Sequence, residues 1–351
     1  MEWIPYSQIM NLEKLAEGGF GIIYKAIWLE GGIHGISSSW SRRKNEIIAA
    51  KRLKSSQKIS KEFLNELRSH HKCYKFSRVL RCYGITKDPN TDEYMLIMQY
   101  ATEGNLHDYL QNNFVDIKWK RKIEILWQIS NGLETIHNAN FLHRDFHSGN
   151  ILLGVESSQQ CQIGDLGLSQ PANNTSLNNE VYGVIPYVAP EVFNGATFSK
   201  ASDVYSLSMI MWECTTGCKP FADVEHDIKL IYDIISGKRP KITKDTPECF
   251  ANLMKRCWNS DSTKRPSIFE IRKTFSRWYF SNDYAEQFDQ AEKKRLELIQ
   301  LKLLCPNLTL KHPRAIFTSR PLRSLISKAS SNNSSSSISF NAKKGKSLVI
   351  Y

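Results

Sequence analysis

The chain has 351 residues, enough for two cores or lobes, and its 41% hydrophobic and 23% charged residues are ordinary for a globular protein. No run of about 18 apolar residues occurs, which excludes a membrane-spanning helix. The start, "MEWIPYSQIM", lacks the basic and apolar regions of a secretion signal, so a cytoplasmic or nuclear setting is expected. The net charge is +12, but 12 Lys/Arg against 5 Asp/Glu lie from Ser281 onward; the excess belongs to a tail, and without a base-reading pattern no nucleic-acid partner is expected.

In chain order, residues from about 11 to 99 read as strands with one helix. "FGIIYKAIWL" and "EIIAAKRL" are apolar or alternating, as half-buried and buried strands are. The Gly/Ser-rich "EGGIHGISSSWSRRKN" between them reads as a long hairpin loop. "KEFLNELRSHHK" places Phe63, Leu64 and Leu67 at helical spacing, and "EYMLIMQYA" is a further apolar strand. From about 105 to 279 the pattern is mainly helical. "WKRKIEILWQISNGLETIH" is amphipathic, and "SDVYSLSMIMWECTTG" is apolar on all sides, which marks a buried helix. Its carboxylate, Asp203, needs hydrogen-bond partners there; capping that helix and bracing the loop around Asp145 would supply them.

The expected fold is α+β and two-lobed, with a small β-rich lobe at about 10–99 and a larger helical lobe at about 105–280. "NDYAEQFDQAEKKRLELIQLKLL", acidic early and basic late, suits a helix dipole and opens a basic extension over 281–323. Residues 324–351 are Ser/Asn-rich and are expected to be disordered; the tail as a whole is expected to be a solvated extension, with binding of an acidic partner or anionic surface, or phosphorylation of its serines, as alternatives. The eight cysteines form no Cys-x-x-Cys pair and read as reduced core thiols.

The chemistry-bearing residues are spread through both lobes. Gly18 and Gly21 in "LAEGGFGIIYKA" would let backbone approach phosphate oxygens, or would simply make a tight hairpin. Lys51 ends "IIAAK" and could face phosphates if Glu66 held it. In "HRDFHSGN", Asp145 could take a proton from an attacking hydroxyl and Asn150 could hold a hard cation through oxygen. "IGDLGLS" offers a second oxygen ligand, Asp165. "VAPE" contains Glu191, and Arg265 lies far downstream as a partner cation.

This set, in this order, resembles the eukaryotic protein kinase family, in its tyrosine-kinase-like branch, over about residues 10–280. The resemblance implies ATP and Mg2+ as cofactors, protein substrates, an upstream activating kinase and a place in intracellular signalling. Carried over, it implies that Gly18 and Gly21 cover the phosphates and that Lys51, paired with Glu66, binds them. Asp145 becomes the catalytic base, and Asn150 and Asp165 the magnesium ligands. Leu15, Ile23, Ala49 and Leu152 would line the adenine pocket, Met98 would guard its back, and Gln99 to Ala101 would form the hinge. Glu191 and Arg265 would be the large lobe's buried ion pair. Arg144 would grip a phosphorylated activation segment, with Thr175, Ser176 and Tyr182 as candidate hydroxyls.

The chain departs from the pattern at Ala16, His147 and Val184. His147 stands where serine/threonine kinases carry lysine, and "HRDFHSGN" is also similar to the active-site line of aminoglycoside and choline phosphotransferases. His147 could bond a phosphate or the incoming hydroxyl, or be a structural loop residue. The full segment from Asp165 to Glu191 favours protein substrates, and "IPYVAPE" favours serine/threonine, with tyrosine or dual specificity as alternatives. A small-molecule phosphotransferase and a non-catalytic scaffold stay as alternatives.

Overall fold

The computed structural model describes residues 1–18, 21–36, 39–53, 61–73, 78–154, 160–172, 181–281, 283–301 and 311–327. The first lobe is a six-stranded sheet built from β1 (Glu2–Trp3), β2 (Ile9–Glu17), β3 (Gly21–Trp28), then β6 (Glu46–Leu53), β7 (Cys82–Lys87) and β8 (Tyr94–Gln99), with β4 (Ile33–Ile36) and β5 (Ser39–Arg42) as a separate hairpin. The sheet order is β1-β7-β8-β6-β3-β2. The expected long loop between β3 and β6 therefore contains a strand pair, whose short, Ser-rich strands carry too little apolar alternation to show in sequence.

Period-two alternation divides this sheet's faces. Ile48, Ala50, Ile97, Ala26 and Trp28 pack in one cluster with Ile4 and Ile9. Leu53, Leu96 and Met98 pack on the other side against Phe63 of α1 (Lys61–Cys73). Lys51 belongs to the second face: it pairs with Ile23 on one neighbour strand and Leu96 on the other. A lysine in an otherwise apolar strand is thereby aimed at the helix and the second lobe.

The second lobe carries α2 (Leu106–Asn113) and α3 (Trp119–Asn138), then short strands β9 (Phe141–Leu142), β10 (Ile151–Leu153), β11 (Cys161–Ile163), β12 (Gln170–Pro171) and β13 (Tyr182–Gly183). It continues with α4 (Pro190–Phe193), α5 (Lys200–Thr216), α6 (Ile228–Ile235), α7 (Glu248–Cys257), α8 (Ile268–Phe280) and α9 (Ala285–Gln300), and ends with β14 (Arg320–Pro321). Ile123, Leu126, Ile129, Leu133 and Ile136 form the buried stripe of α3 at three- and four-residue spacing. In α5 fourteen of seventeen residues are buried, so it forms the lobe's central rod. Ser199 and Ser202 close a reciprocal capping box at its start, and Gly217 ends it in the left-handed conformation. Asp203 therefore does not cap this helix, since Ser199 already does; its carboxylate is left for the loop around Asp145.

The extension past Ser281 is part of the lobe. Glu292 of α9 accepts the Trp119 N–H at 3.1 Å, a cap for α3 that Lys118 does not provide, and buried Arg295 donates to the Val115 carbonyl at 2.6 Å. Residues 311–327 run back across the lobe, and β14 adds to β13. Residues 323–327 are helical and Leu325 and Ile326 pack on the core, so the expected disorder does not begin at Ser324. Ala315 and Leu322 are buried by distant elements, which local composition cannot report. The rest of the expected disordered tail, 328–351, lies outside the described residues. Among the described residues no helix is long and apolar enough to cross a membrane. The seven described cysteines are free thiols, five of them buried; Cys305 lies outside the described residues.

Glu191 and Arg265 are joined by a two-pronged bond, at 2.7 and 2.6 Å. The Arg265 guanidinium also donates to the carbonyls of Ala201 and Asn259 and lies over the Tyr205 ring. Removing one partner of such a pair leaves a charge without compensation at a buried site. Arg265→Ala is expected to lower unfolding stability by roughly 3–5 kcal/mol. A chemical-denaturation midpoint equal to wild type would contradict this.

Candidate active site

Three charges meet between the lobes. The ammonium of Lys51 bonds Glu66 Oε1 at 2.8 Å and Asp165 Oδ1 at 2.7 Å. Lys51 and Glu66 are buried, while Asp165 keeps a third of its side chain open to the cleft. Burial works to lower the Lys51 pKa, but the two carboxylates outweigh it and raise it, so Lys51 is a fixed cation. Burial likewise opposes ionisation of Asp165, yet Lys51 and the Gly167 N–H hold it down at about 2. Glu66 is raised, chiefly by burial, against the pull of Lys51. A side chain at Gly167 would come within 3.1 Å of both Asp165 Oδ1 and Glu66 Oε2, so glycine there keeps the triad closed. Asn65 of α1 ties this helix to the following segment through the Ser169 carbonyl.

The loop with Asp145 is wired from beneath. Asp203 Oδ2 accepts from the His143 N–H and from His137 Nε2, each at 2.9 Å, and Oδ1 accepts from the Arg144 N–H at 3.0 Å. These bonds hold Arg144 in the left-handed region, φ 70°, a conformation costly for a side-chain-bearing residue. His143 Nδ1 accepts from the Asp145 N–H, which leaves Nε2 to donate to the Gly164 carbonyl. One buried carboxylate and one buried imidazole thus set the position of Asp145 relative to Asp165.

Asn150 donates its amide to the Asp145 carbonyl at 2.9 Å, which turns its oxygen outward from that bond. His147 Nδ1 accepts from the Gly149 N–H at 3.1 Å, so the neutral ring carries its proton on Nε2, 3.7 Å from Asp145 Oδ2. His147 is therefore directed at the carboxylate of Asp145. Burial pushes the Asp145 pKa up, but His147 and the hydroxyl of Ser319 outweigh it and hold it below the usual value. Arg144 stacks on Phe198 at 4.8 Å. Thr175 and Ser176 lie outside the described residues.

The remaining expected residues lie on or beside β2, β3, β6, β8 and β10 and in the link to α2. Ala49 pairs with Met98, and Leu152 packs on the cluster that contains Met98. Ile23 lies beside Lys51. A side chain at Gly21 would lie 2.2 Å from the Arg52 carbonyl, so strand pairing alone demands glycine there, whereas Gly18 has open space around it. Residues 19–20 lie outside the described residues. Leu15 sits at a register shift in β2 and is largely exposed. Gln99 turns its side chain onto the Arg81 N–H, and Ala101 is half-buried in the link to α2. Two groups were not foreseen. Buried Glu213 joins His107 and Tyr187, which fixes the segment after Val184. Ser319 contacts Asp145; its only trace in sequence is a serine before Arg-Pro in a basic tail.

A family model described as protein tyrosine and serine/threonine kinase matches residues 9–275. The chain is 30% identical over 275 residues to a protein of Acanthamoeba polyphaga mimivirus named as a serine/threonine-protein kinase/receptor, covering 76% of this chain and 16% of that one. It is 29% identical to stress-activated protein kinase alpha of Dictyostelium discoideum (76% and 41% covered). It is 30% identical to mitogen-activated protein kinase kinase kinase 7 of Bos taurus (78% and 44%). The chain thus spans less than half the length of these relatives.

Acid stability tests the ion triad. Asp165 is held at about 2 against an ordinary 3.8, so its stabilising contribution is complete above about pH 4 and is lost as the pH falls through 2. In magnesium-free buffer, Asp165→Asn is expected to flatten the loss of stability between pH 4 and 2, followed by denaturant midpoints. An unchanged slope would contradict the pairing.

Proposed function

Since the chain belongs to the protein tyrosine and serine/threonine kinase family, we propose that it transfers the γ-phosphoryl group of Mg-ATP to serine or threonine hydroxyls of proteins, as a member of the tyrosine-kinase-like branch. The observation that carries this reading is the Lys51–Glu66–Asp165 triad facing the loop that holds Asp145 and Asn150.

Asp165 Oδ2 and Asn150 Oδ1 make no bond among the described residues, and both are hard oxygen donors of the kind magnesium takes. Asn150 and Asp165 would hold the ion, which when bound neutralises phosphate charge. Lys51 would orient the α- and β-phosphates, with Glu66 keeping its ammonium in place. Ile23, Ala49 and Leu152 would enclose the adenine, Met98 would close its back, and the backbone from Gln99 to Ala101 would meet its edge. Gly18 and Gly21 would let the β2–β3 turn cover the phosphates. Asp145 would accept the proton of the attacking hydroxyl, its carboxylate kept ionised and aimed by His147 Nε2–H. His147 thus takes part of the place that lysine fills elsewhere in the family, at the base and without a fixed charge.

A seryl hydroxyl, that of Ser319 just before β14, already reaches the Asp145 carboxylate, which supports serine or threonine as the acceptor. Signalling inside the cell, with reduced thiols, suits the free buried cysteines. Control by an upstream kinase acting on Thr175 or Ser176 belongs to this proposal. Turnover is tested with radiolabelled Mg-ATP, protein substrates and a panel of aminoglycosides and choline. Asp145→Ala is expected to lower protein labelling by about 10²- to 10⁴-fold with ATP binding retained, and Lys51→Met to impair both. Label on the small molecules, or equal turnover in Asp145→Ala, would contradict the reading.

A further inference from the structure

The hydroxyl of Ser319 lies 2.5 Å from both carboxylate oxygens of Asp145. It sits where an acceptor hydroxyl must sit if Asp145 is the base. The contact is held by a segment fixed on both sides. Gly183 and Tyr182 of β13 pair antiparallel with Arg320 and Pro321, the two residues after Ser319. The Leu322 N–H donates to the Val181 carbonyl at 2.8 Å, and the Leu322 side chain is fully buried in the large lobe's core. On the other side, His312 donates its N–H to the Ala222 carbonyl, and the ring of Phe317 lies 4.6 Å from that of His226. Arg320 reaches the His226 carbonyl at 2.7 Å. An extended peptide paired to a sheet edge, with one side chain in an apolar pocket, is a recognised way for a protein to hold a peptide.

We propose that residues 311–327 are a substrate held in cis: Ser319 is an autophosphorylation site, and until it is modified the segment bars other proteins from Asp145. This rests on the kinase reading above. The transfer balances with ATP alone. Ser319 Oγ forms a bond to Pγ, the bond from Pγ to the β,γ-bridging oxygen breaks, ADP leaves with that electron pair, and the hydroxyl proton passes to Asp145. The product is a phosphate of nearly two negative charges beside the carboxylates of Asp145 and Asp165. Like charges at such range repel, so modification drives the segment out and opens the cleft. The β-register selects Ser319 over its neighbour Thr318, which is exposed, and over Ser324, which lies beyond buried Leu322.

The test uses the full chain, expressed with a phosphatase, and the variants Ser319→Ala and Leu322→Asp. Mg-ATP is added, phosphosites are mapped by mass spectrometry, and initial rates are read on a generic serine peptide. Hydrogen exchange at the Leu322 amide reports docking without turnover. Phosphate is expected first on Ser319, at a rate per molecule independent of enzyme concentration. Leu322→Asp is expected to lose amide protection and gain at least about tenfold in peptide kcat/KM with the KM for ATP unchanged, while Ser319→Ala keeps its protection and its low peptide rate. Peptide labelling without phosphate on Ser319, or no rate gain in a folded Leu322→Asp, would overturn the proposal and leave the kinase reading intact. No label on any substrate in any variant, with the amide still protected, would overturn the kinase reading and the acceptor role of Ser319 with it.

Discussion

Everything at the centre of this molecule depends on one buried ammonium group between two carboxylates. Lys51 sits on the inner face of the first sheet, Glu66 on the helix that follows, and Asp165 in the second lobe. No one of the three is tolerable alone: each would be an ion taken from water without an opposite charge. The triad therefore links sheet, helix and second lobe more strictly than apolar contact could, because a charge pair has a defined distance and direction. It also carries a net negative charge with one carboxylate partly open, which suits a hard cation and the phosphates that travel with it.

A second buried carboxylate, Asp203, does for the loop what Lys51 does for the lobes. It spends its bonds on two consecutive loop N–H groups and on His137, and so holds a strained backbone in which Asp145 faces the cleft. The base, its histidine neighbour and the cation-binding asparagine are then placed by short local bonds. Because the cleft is set by these rigid contacts, what can still vary is what occupies it. In this structure the occupant on the acceptor side is the chain's own C-terminal segment.

Much of this was legible in the sequence, for a definable reason. The chemistry-bearing residues sit in short local contexts: lysine ending an apolar strand, aspartate five before asparagine, aspartate before Leu-Gly. What the local pattern left out was which neighbour each residue actually meets. Asp203 was expected both to cap its helix and to brace the loop around Asp145; it does the second, while Ser199 takes the cap in a box with Ser202. Gly21 was read as a phosphate-loop or hairpin glycine, and the Arg52 carbonyl of the next strand adds a packing reason for glycine that the sequence does not show. The tail looked solvated because its few apolar positions, Ala315 and Leu322 among them, show no helix or strand period, and the segments that meet them, around Ala222 and Val181, lie far away in the chain.

The most direct measurement is calorimetric titration of ATP into the full chain, with and without magnesium, for wild type and Asp165→Asn. The account predicts one site per chain, with binding that weakens when magnesium is removed from wild type. In Asp165→Asn that gap between the two conditions should close. No binding in wild type, or an undiminished magnesium dependence in Asp165→Asn, would contradict it.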